Sequence, residues 1–336
     1  IIDYPEELSA QSIAQDRAFL MAYDSDPFNR WEAGQQLASQ LLLELINNNA
    51  DEFNTELLEK FIHGCEQLLA DTQLDNALKA QALILPSESY LLEQLDIADV
   101  DAVFNSRKQL KLIMAEQLNS QFQTLYNELS SDADYKFNAE QAGKRSLRNL
   151  ALSYLTARGD DFAVQTAFMH FNNADNMTDS IAALALLAHT PSELTQQALE
   201  SFEQRWSADA LVMDKWFIVQ AAAQHNQVLQ NVKDLMEHPN FDLKNPNKVR
   251  SLIGSFTAAN LQAFHNSNGS GYQFVMDQIL ALDKFNPQIA ARMVKQFSRW
   301  KRYNDTRQAL MKAELERALK QDLSPDVYEI VSKSLA

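Results

Sequence analysis

Two stretches of the chain place the same groups in the same order. In "KNPNKVRSLIGSF" (Lys244 to Phe256) and "KFNPQIAARMVKQF" (Lys284 to Phe297), Asn and Pro are followed by an amide side chain and, within two turns, an arginine. The start is helix punctuation: Asn245 and Asn286 can accept a bond from a free N–H of the first turn, and Pro246 and Pro287 have no N–H to leave unpaired. The amide and the arginine need another explanation. On the helix from Pro287, the residues Gln288, Arg292, Lys295 and Arg299 form a polar stripe beside an apolar one, so Gln288 and Arg292 face away from the core near the helix start. Asn247 and Arg250 hold similar places in the sister stretch, the arginine one residue nearer its amide.

Groups that could break bonds are not gathered anywhere. The six histidines, His63, His170, His189, His225, His238 and His265, include no pair at metal-ligand spacing on one helix, and no His-Glu-x-x-His occurs. "NSNGSGY" (Asn266 to Tyr272) is glycine-rich and precedes a helix, but it lacks the Lys-Ser/Thr of a phosphate loop and the strand that a dinucleotide fingerprint requires. It reads as an interhelical turn. No Gly-x-Ser-x-Gly elbow is present, and the acid pairs Asp132 with Asp134 and Asp160 with Asp161 suit helix capping. The one cysteine, Cys65 in "FIHGCEQLL", reads as a small buried hydrophobe rather than a nucleophile. The chain alone is expected to be non-catalytic and to hold no metal.

The elements that carry these residues read as helices nearly throughout. Seven glycines and eight prolines in 336 residues are few, and most of them mark element ends. Asp26–Pro27, Thr190–Pro191 and Ser324–Pro325 repeat the cap-then-proline start. Val249, Leu252, Ile253 and Phe256 fall at the helical period, as do Ile289, Met293, Phe297 and Trp300 one turn longer. Such segments number about sixteen, joined by short polar loops, which predicts antiparallel helix pairs in an all-α, HEAT- or armadillo-like superhelical array. No residue pattern recurs at a fixed period beyond the paired Asn-Pro starts. The polar stretch "NELSSDADYKFN" (Asn127 to Asn138) reads as a long loop inside one domain spanning 1–336, with 1–23 as a linker-proximal segment.

Charge narrows the function classes. With 29 basic against 45 acidic residues the net charge is −16, which opposes nucleic acid and anionic membranes unless a basic patch compensates. The longest basic cluster, "RWKRY" (Arg299 to Tyr303), reads as a solvated helix end. No run of 18 apolar residues or basic-then-apolar leader is visible. A single cysteine permits a reducing compartment, and a cytoplasmic location is expected. The opening "IIDYPEELS" has no methionine, which suggests a piece of a longer chain.

Some stretches are unusual for a scaffold. "FNNADNMTDSIAALALLA" (Phe171 to Ala188) crowds amides and acids around a helix start, and "LVMDKWFIVQAAA" (Leu211 to Ala223) sets Asp214 and Lys215 in an apolar segment. Capping and a surface ion pair are their simplest reading. Together with "FNRWEAGQQL", "KRSLRNLAL", "NPNKVRSLIGSF", "FHNSNGSGYQF" and "NPQIAARMVKQFSRWKRYN", these strings resemble, in order, the C-terminal domain of the bacterial aminopeptidase N family of gluzincin zinc metallopeptidases.

The resemblance, which runs from about Asp24 to the C-terminus, implies a helical domain that curls over a thermolysin-like catalytic domain of the same polypeptide and encloses a chamber for peptide substrates. It implies that the zinc, its ligands and the general base lie in the parent enzyme outside this chain. It assigns Gln288 and Arg292, and no others, to the substrate path; that Asn247 and Arg250 line the same chamber is an expectation drawn from the likeness of the two helix starts. The competing expectation is a free-standing helical-repeat protein that binds a protein partner in its groove.

Overall fold

The computed structural model describes residues 10–48, 50–130 and 135–336. Helices account for nearly all regular structure there, and the one strand-like pairing among the described residues is an isolated bridge between Ala98 and Tyr303. Helices joined by short loops pack on their neighbours, as Ser270–Asp283 does on Pro287–Val294 and Asp305–Leu319 on Pro325–Leu335, and such connections force antiparallel pairs. The all-α class is therefore as expected. There are more helical segments than sixteen, because short ones such as Asn76–Ala82, Glu88–Gln94 and Leu261–Phe264 are too brief to show a period.

The chain divides into two compact units: residues up to Leu95 with Asp101–Ala183, and Asp96–Val100 with Leu184–Ala336. In the first, the Ala10–Tyr23 helix packs on Pro27–Asn47 and Thr55–Ala70. Arg30, 5% exposed, ties these together: its Nε donates to the Met21 carbonyl at 3.0 Å and its guanidinium reaches Asp71 at 2.6 Å. Phe122 stacks on Tyr154 at 4.5 Å, and the Tyr154 hydroxyl donates to the Leu83 carbonyl at 2.6 Å. Cys65 is buried, and burial pushes its thiol pKa up, as suits a core residue rather than a nucleophile. Of the loop from Asn127 to Asn138, residues 131–134, including Asp132 and Asp134, lie outside the described residues. Asp160 caps its helix as expected, accepting from the Ala163 amide at 2.9 Å.

The second unit is built around aromatic side chains. Phe264 meets Tyr272 and Phe297 edge-on at 5.3 and 5.8 Å. His265, 2% exposed, is held on both sides, Nδ1 by the Tyr272 hydroxyl at 2.8 Å and Nε2 by the Tyr303 hydroxyl at 3.2 Å, while buried Arg307 donates to its carbonyl at 2.8 Å. The glycine-rich "NSNGSGY" is thus a turn locked onto the core. Gly269 takes φ +75°, and a Cβ on Gly271 would lie 2.3 Å from the Phe264 carbonyl oxygen, so only glycine fits there.

Four of the five expected proline starts hold, at Pro27, Pro246, Pro287 and Pro325. The fifth shifts. Past Pro191 it is Ser192 that caps Glu193–Trp206, its Oγ accepting from the Thr195 amide at 3.1 Å, while the Thr195 hydroxyl donates to the Thr190 carbonyl at 2.7 Å.

Candidate functional site

The Pro287–Val294 helix is positioned at both ends. Asn286 Oδ1 accepts from the Ile289 amide at 3.3 Å, and buried Ala290, Met293 and Val294 seat one side of the helix in the core. Before it, buried Asp283 accepts from the Ser324 amide at 2.8 Å and from the Ser324 hydroxyl, which pins the start of Pro325–Leu335 beside it. Gln288 and Arg292 stand one turn apart on the opposite side, both exposed, and neither makes a hydrogen bond or ion pair with the described residues. The α-helix does not continue to Trp300. Lys295–Phe297 tightens to a 3-10 turn and a second one covers Trp300–Arg302, so the polar stripe stops at Arg292 and does not run on regularly through Lys295 and Arg299. Trp300 is drawn inward by its indole N–H, which donates to the Ser334 carbonyl at 2.8 Å.

The sister stretch begins alike and then departs. Asn245 caps Pro246–Val249, accepting from the Asn247 amide at 2.9 Å. Arg250–Gly254 then widens into a π-turn, with the Ser255 amide reaching back to the Arg250 carbonyl, a distortion frequent at functional sites. Asn247 and Arg250 are exposed and bonded to each other, the guanidinium donating to Asn247 Oδ1 at 2.5 Å. They are brought together as one group, as are Gln288 with Arg292 through their helix. No hydrogen bond or ion pair joins the two groups among the described residues.

What anchors the π-turn is a buried ion pair that sequence reading assigned differently. Asp214 does not pair with Lys215 at the surface; it meets Lys248 at 2.8 Å with side-chain exposures of 15% and 6%, and Lys215 is exposed. The Lys248 ammonium also donates to the Ala210 carbonyl at 2.7 Å and lies 5.5 Å from the centre of the Phe217 ring. The Ser251 hydroxyl bonds the Lys248 carbonyl at 3.0 Å. A charged residue in an apolar helix was the available signal, since such a group must find a partner.

A second signal was overlooked. From Lys284 to Tyr303 the chain carries six basic residues and no acid, so "RWKRY" is only the end of a longer positive run. Lys284, Arg292, Lys295 and Lys301 are exposed. In a chain of net charge −16 this run is a local inversion of sign, and it would draw carboxylates to the Gln288–Arg292 side. Among the described residues no three His, Cys, Asp or Glu side chains could hold a metal ion together, so these residues do not fit a zinc centre and no step is routed through one here.

A family model described as "Domain of unknown function (DUF3458_C) ARM repeats" matches residues 14–336. The chain belongs to this family of ARM-repeat domains. Its DUF3458_C relatives include aminopeptidase N of Caulobacter vibrioides, 36% identical over 98% of this chain and 38% of that protein. Aminopeptidase N of Escherichia coli is 34% identical over 99% of this chain and 38% of its own length. The chain thus spans well under half of these relatives, and the part it matches is their C-terminal part. Among solved structures, Legionella pneumophila aminopeptidase A in complex with aspartic acid superposes with a TM-score of 0.87 at 32% identity, covering 100% of this chain and 39% of the other.

Proposed function

We propose that this DUF3458_C domain is the covering domain of a zinc-dependent aminopeptidase that removes N-terminal residues from peptides. In this reading it is a single helical domain over the whole chain, closes the chamber over a catalytic domain of the same polypeptide, and acts in the cytoplasm without nucleic acid or membrane partners. The zinc chemistry belongs to the parent enzyme. This chain contributes binding: Gln288 offers a neutral amide to the peptide backbone, and Arg292 offers a permanent charge to a carbonyl or carboxylate. Asn247 and Arg250 line the same chamber, held in place by the Lys248–Asp214 pair.

The observation that carries the reading is the coincidence of two independent facts. The chain aligns almost end to end with the C-terminal part of aminopeptidase N, and the two side chains expected on the path are exposed and left without partners in a positive run. A structure of the full-length protein with a bound uncleavable tetrapeptide tests it. Peptide atoms within hydrogen-bond reach of Gln288 or Arg292 are the expected result; a peptide path that bypasses the Pro287–Val294 helix overturns it.

A further inference from the structure

The first unit holds a polar cluster that capping, by Asn176 Oδ1 on the Asp179 amide at 3.0 Å, explains only in part. Asn119–Glu128 supplies Tyr126, Ala139–Leu155 supplies Arg148 and Asn149, Asp161–Asn173 supplies His170, and the start of Met177–Ala188 supplies Asn176 and Asp179. His170 is 2% exposed and Asp179 4%. The Asp179 carboxylate accepts from the side-chain amides of Asn149 at 2.8 Å and Asn176 at 3.0 Å, with an Arg148 nitrogen at 3.8 Å. His170 Nδ1 lies 2.9 Å from the Tyr126 hydroxyl, and the Arg148 guanidinium sits 5.2 Å from the centre of the Tyr126 ring.

Proton positions follow from this geometry. Arg148 can only donate, and its charge beside the phenol favours the arrangement in which Tyr126 gives its own proton to His170 Nδ1. Burial, helped by Arg148, holds the His170 pKa down at about 4, so the ring is neutral near pH 7 and its one N–H is on Nε2. Asn149 turns its NH2 to Asp179, which leaves Oδ1 as an acceptor. Three buried atoms then lack a partner among the described residues: the donors Arg148 Nε and His170 Nε2, and the acceptor Asn149 Oδ1.

We propose that this cluster is a hydration site, in which ordered water accepts from Arg148 Nε and His170 Nε2 and donates to Asn149 Oδ1. Leaving such groups unpaired is costly, and a polar interior site with two to four partners is where buried water is found. The charges select water over ions. Arg148 and Asp179 cancel, an anion has no proton to give Asn149, and a cation would face two N–H groups. The water completes a network that joins all four helices, and it makes the neutral His170 ring a fixed donor rather than a proton-exchanging group.

High-resolution crystals of the full-length protein, grown with bromide replacing chloride, test the site. Water density within hydrogen-bond distance of His170 Nε2 and Asn149 Oδ1, with no anomalous bromide signal, is the expected result. A bromide peak makes it an anion site and overturns the proposal, as does rotation of the three side chains into direct contact with one another or with other protein groups. In Asn149→Leu the acceptor is gone and the water should be lost with it. Nitrogen-15 NMR of the histidine rings gives an independent reading: His170 should show the Nε2–H form, with a through-space Overhauser contact between that N–H and water that is lost in Asn149→Leu. An Nδ1–H form, or no Overhauser contact with water in the parent protein, overturns it.

Discussion

Lys248 and Asp214 meet at 2.8 Å between two helices, with the lysine side chain 6% exposed and the aspartate 15%. The lysine ammonium also carries a carbonyl and an aromatic face, from Ala210 and Phe217, so its hydrogen-bonding capacity is largely spent inside the protein. The pair joins the Ala210–Ala221 helix to the residues just before the Arg250–Gly254 π-turn. It thereby sets where Asn247 and Arg250 stand.

Removing one partner of that pair should be costly. Asp214→Ala leaves a buried ammonium without its counter-charge, and breaking such pairs costs about 3–5 kcal/mol. Denaturant unfolding followed by the fluorescence of Trp216, which is 5% exposed on the Asp214 helix, should register it. Replacing both partners, as in Asp214→Leu with Lys248→Met, should recover most of the loss. A single mutant as stable as the parent would show that Lys248 escapes to solvent.

Arg292→Ala should act on peptides rather than on the fold. The side chain is exposed, so stability should change by no more than about 0.5 kcal/mol. A charged hydrogen bond is worth about 1.5–3 kcal/mol, and the open, hydrated surroundings favour the low end, roughly a tenfold loss in kcat/KM of the full-length enzyme. The loss should grow from single-residue chromogenic substrates to tetrapeptides, and shrink for C-terminally amidated peptides if a carboxylate is the contact. Equal kinetics across the series would reduce Arg292 to ordinary helix surface.

Acid should destabilise the fold ahead of its carboxylates. Burial first, and a nearby arginine second, hold the pKa of His170 at about 4 and that of His265 at about 3, against an ordinary value of 6.5. The unfolded chain therefore takes up both protons below pH 6.5 while the folded chain refuses them. The stability due to these rings is whole above pH 6.5 and is lost as pH falls toward 4. Two protons give a slope of about 2.7 kcal/mol per pH unit in that window. His170→Gln should halve the slope measured by denaturant unfolding between pH 6.5 and 4.5, and a flat profile in the parent would contradict the burial of both rings.

Gly271→Ala should destabilise by at least the 1–3 kcal/mol typical of overpacking, since the new Cβ would fall 2.3 Å from the Phe264 oxygen and 2.7 Å from that of Ala263, both backbone atoms. Gly254→Ala is the control: its nearest contact would be an ordinary 3.7 Å, and it should be close to neutral. Thermal unfolding midpoints of the two variants decide the matter. Similar midpoints would show that the 261–264 turn yields.

By itself the sequence determined what depends on neighbours along the chain. Asn286 before Pro287 announces a helix start, the burial of Met293 and Phe297 follows from the helical period, and Gln288 and Arg292 therefore face outward. Caps and periodicity are local, so they can be read locally. Only the tertiary structure decided that Asp214 reaches Lys248 and passes over Lys215, that His170 joins Tyr126, and that the Pro287 helix tightens after Val294 so that the indole of Trp300 can reach Ser334. Each of these rests on a partner distant in sequence, and which one is chosen depends on what is buried beside it. A charge taken out of water bonds whatever partner the packing brings within reach, and an arrangement of side chains at the helical period does not say which that will be.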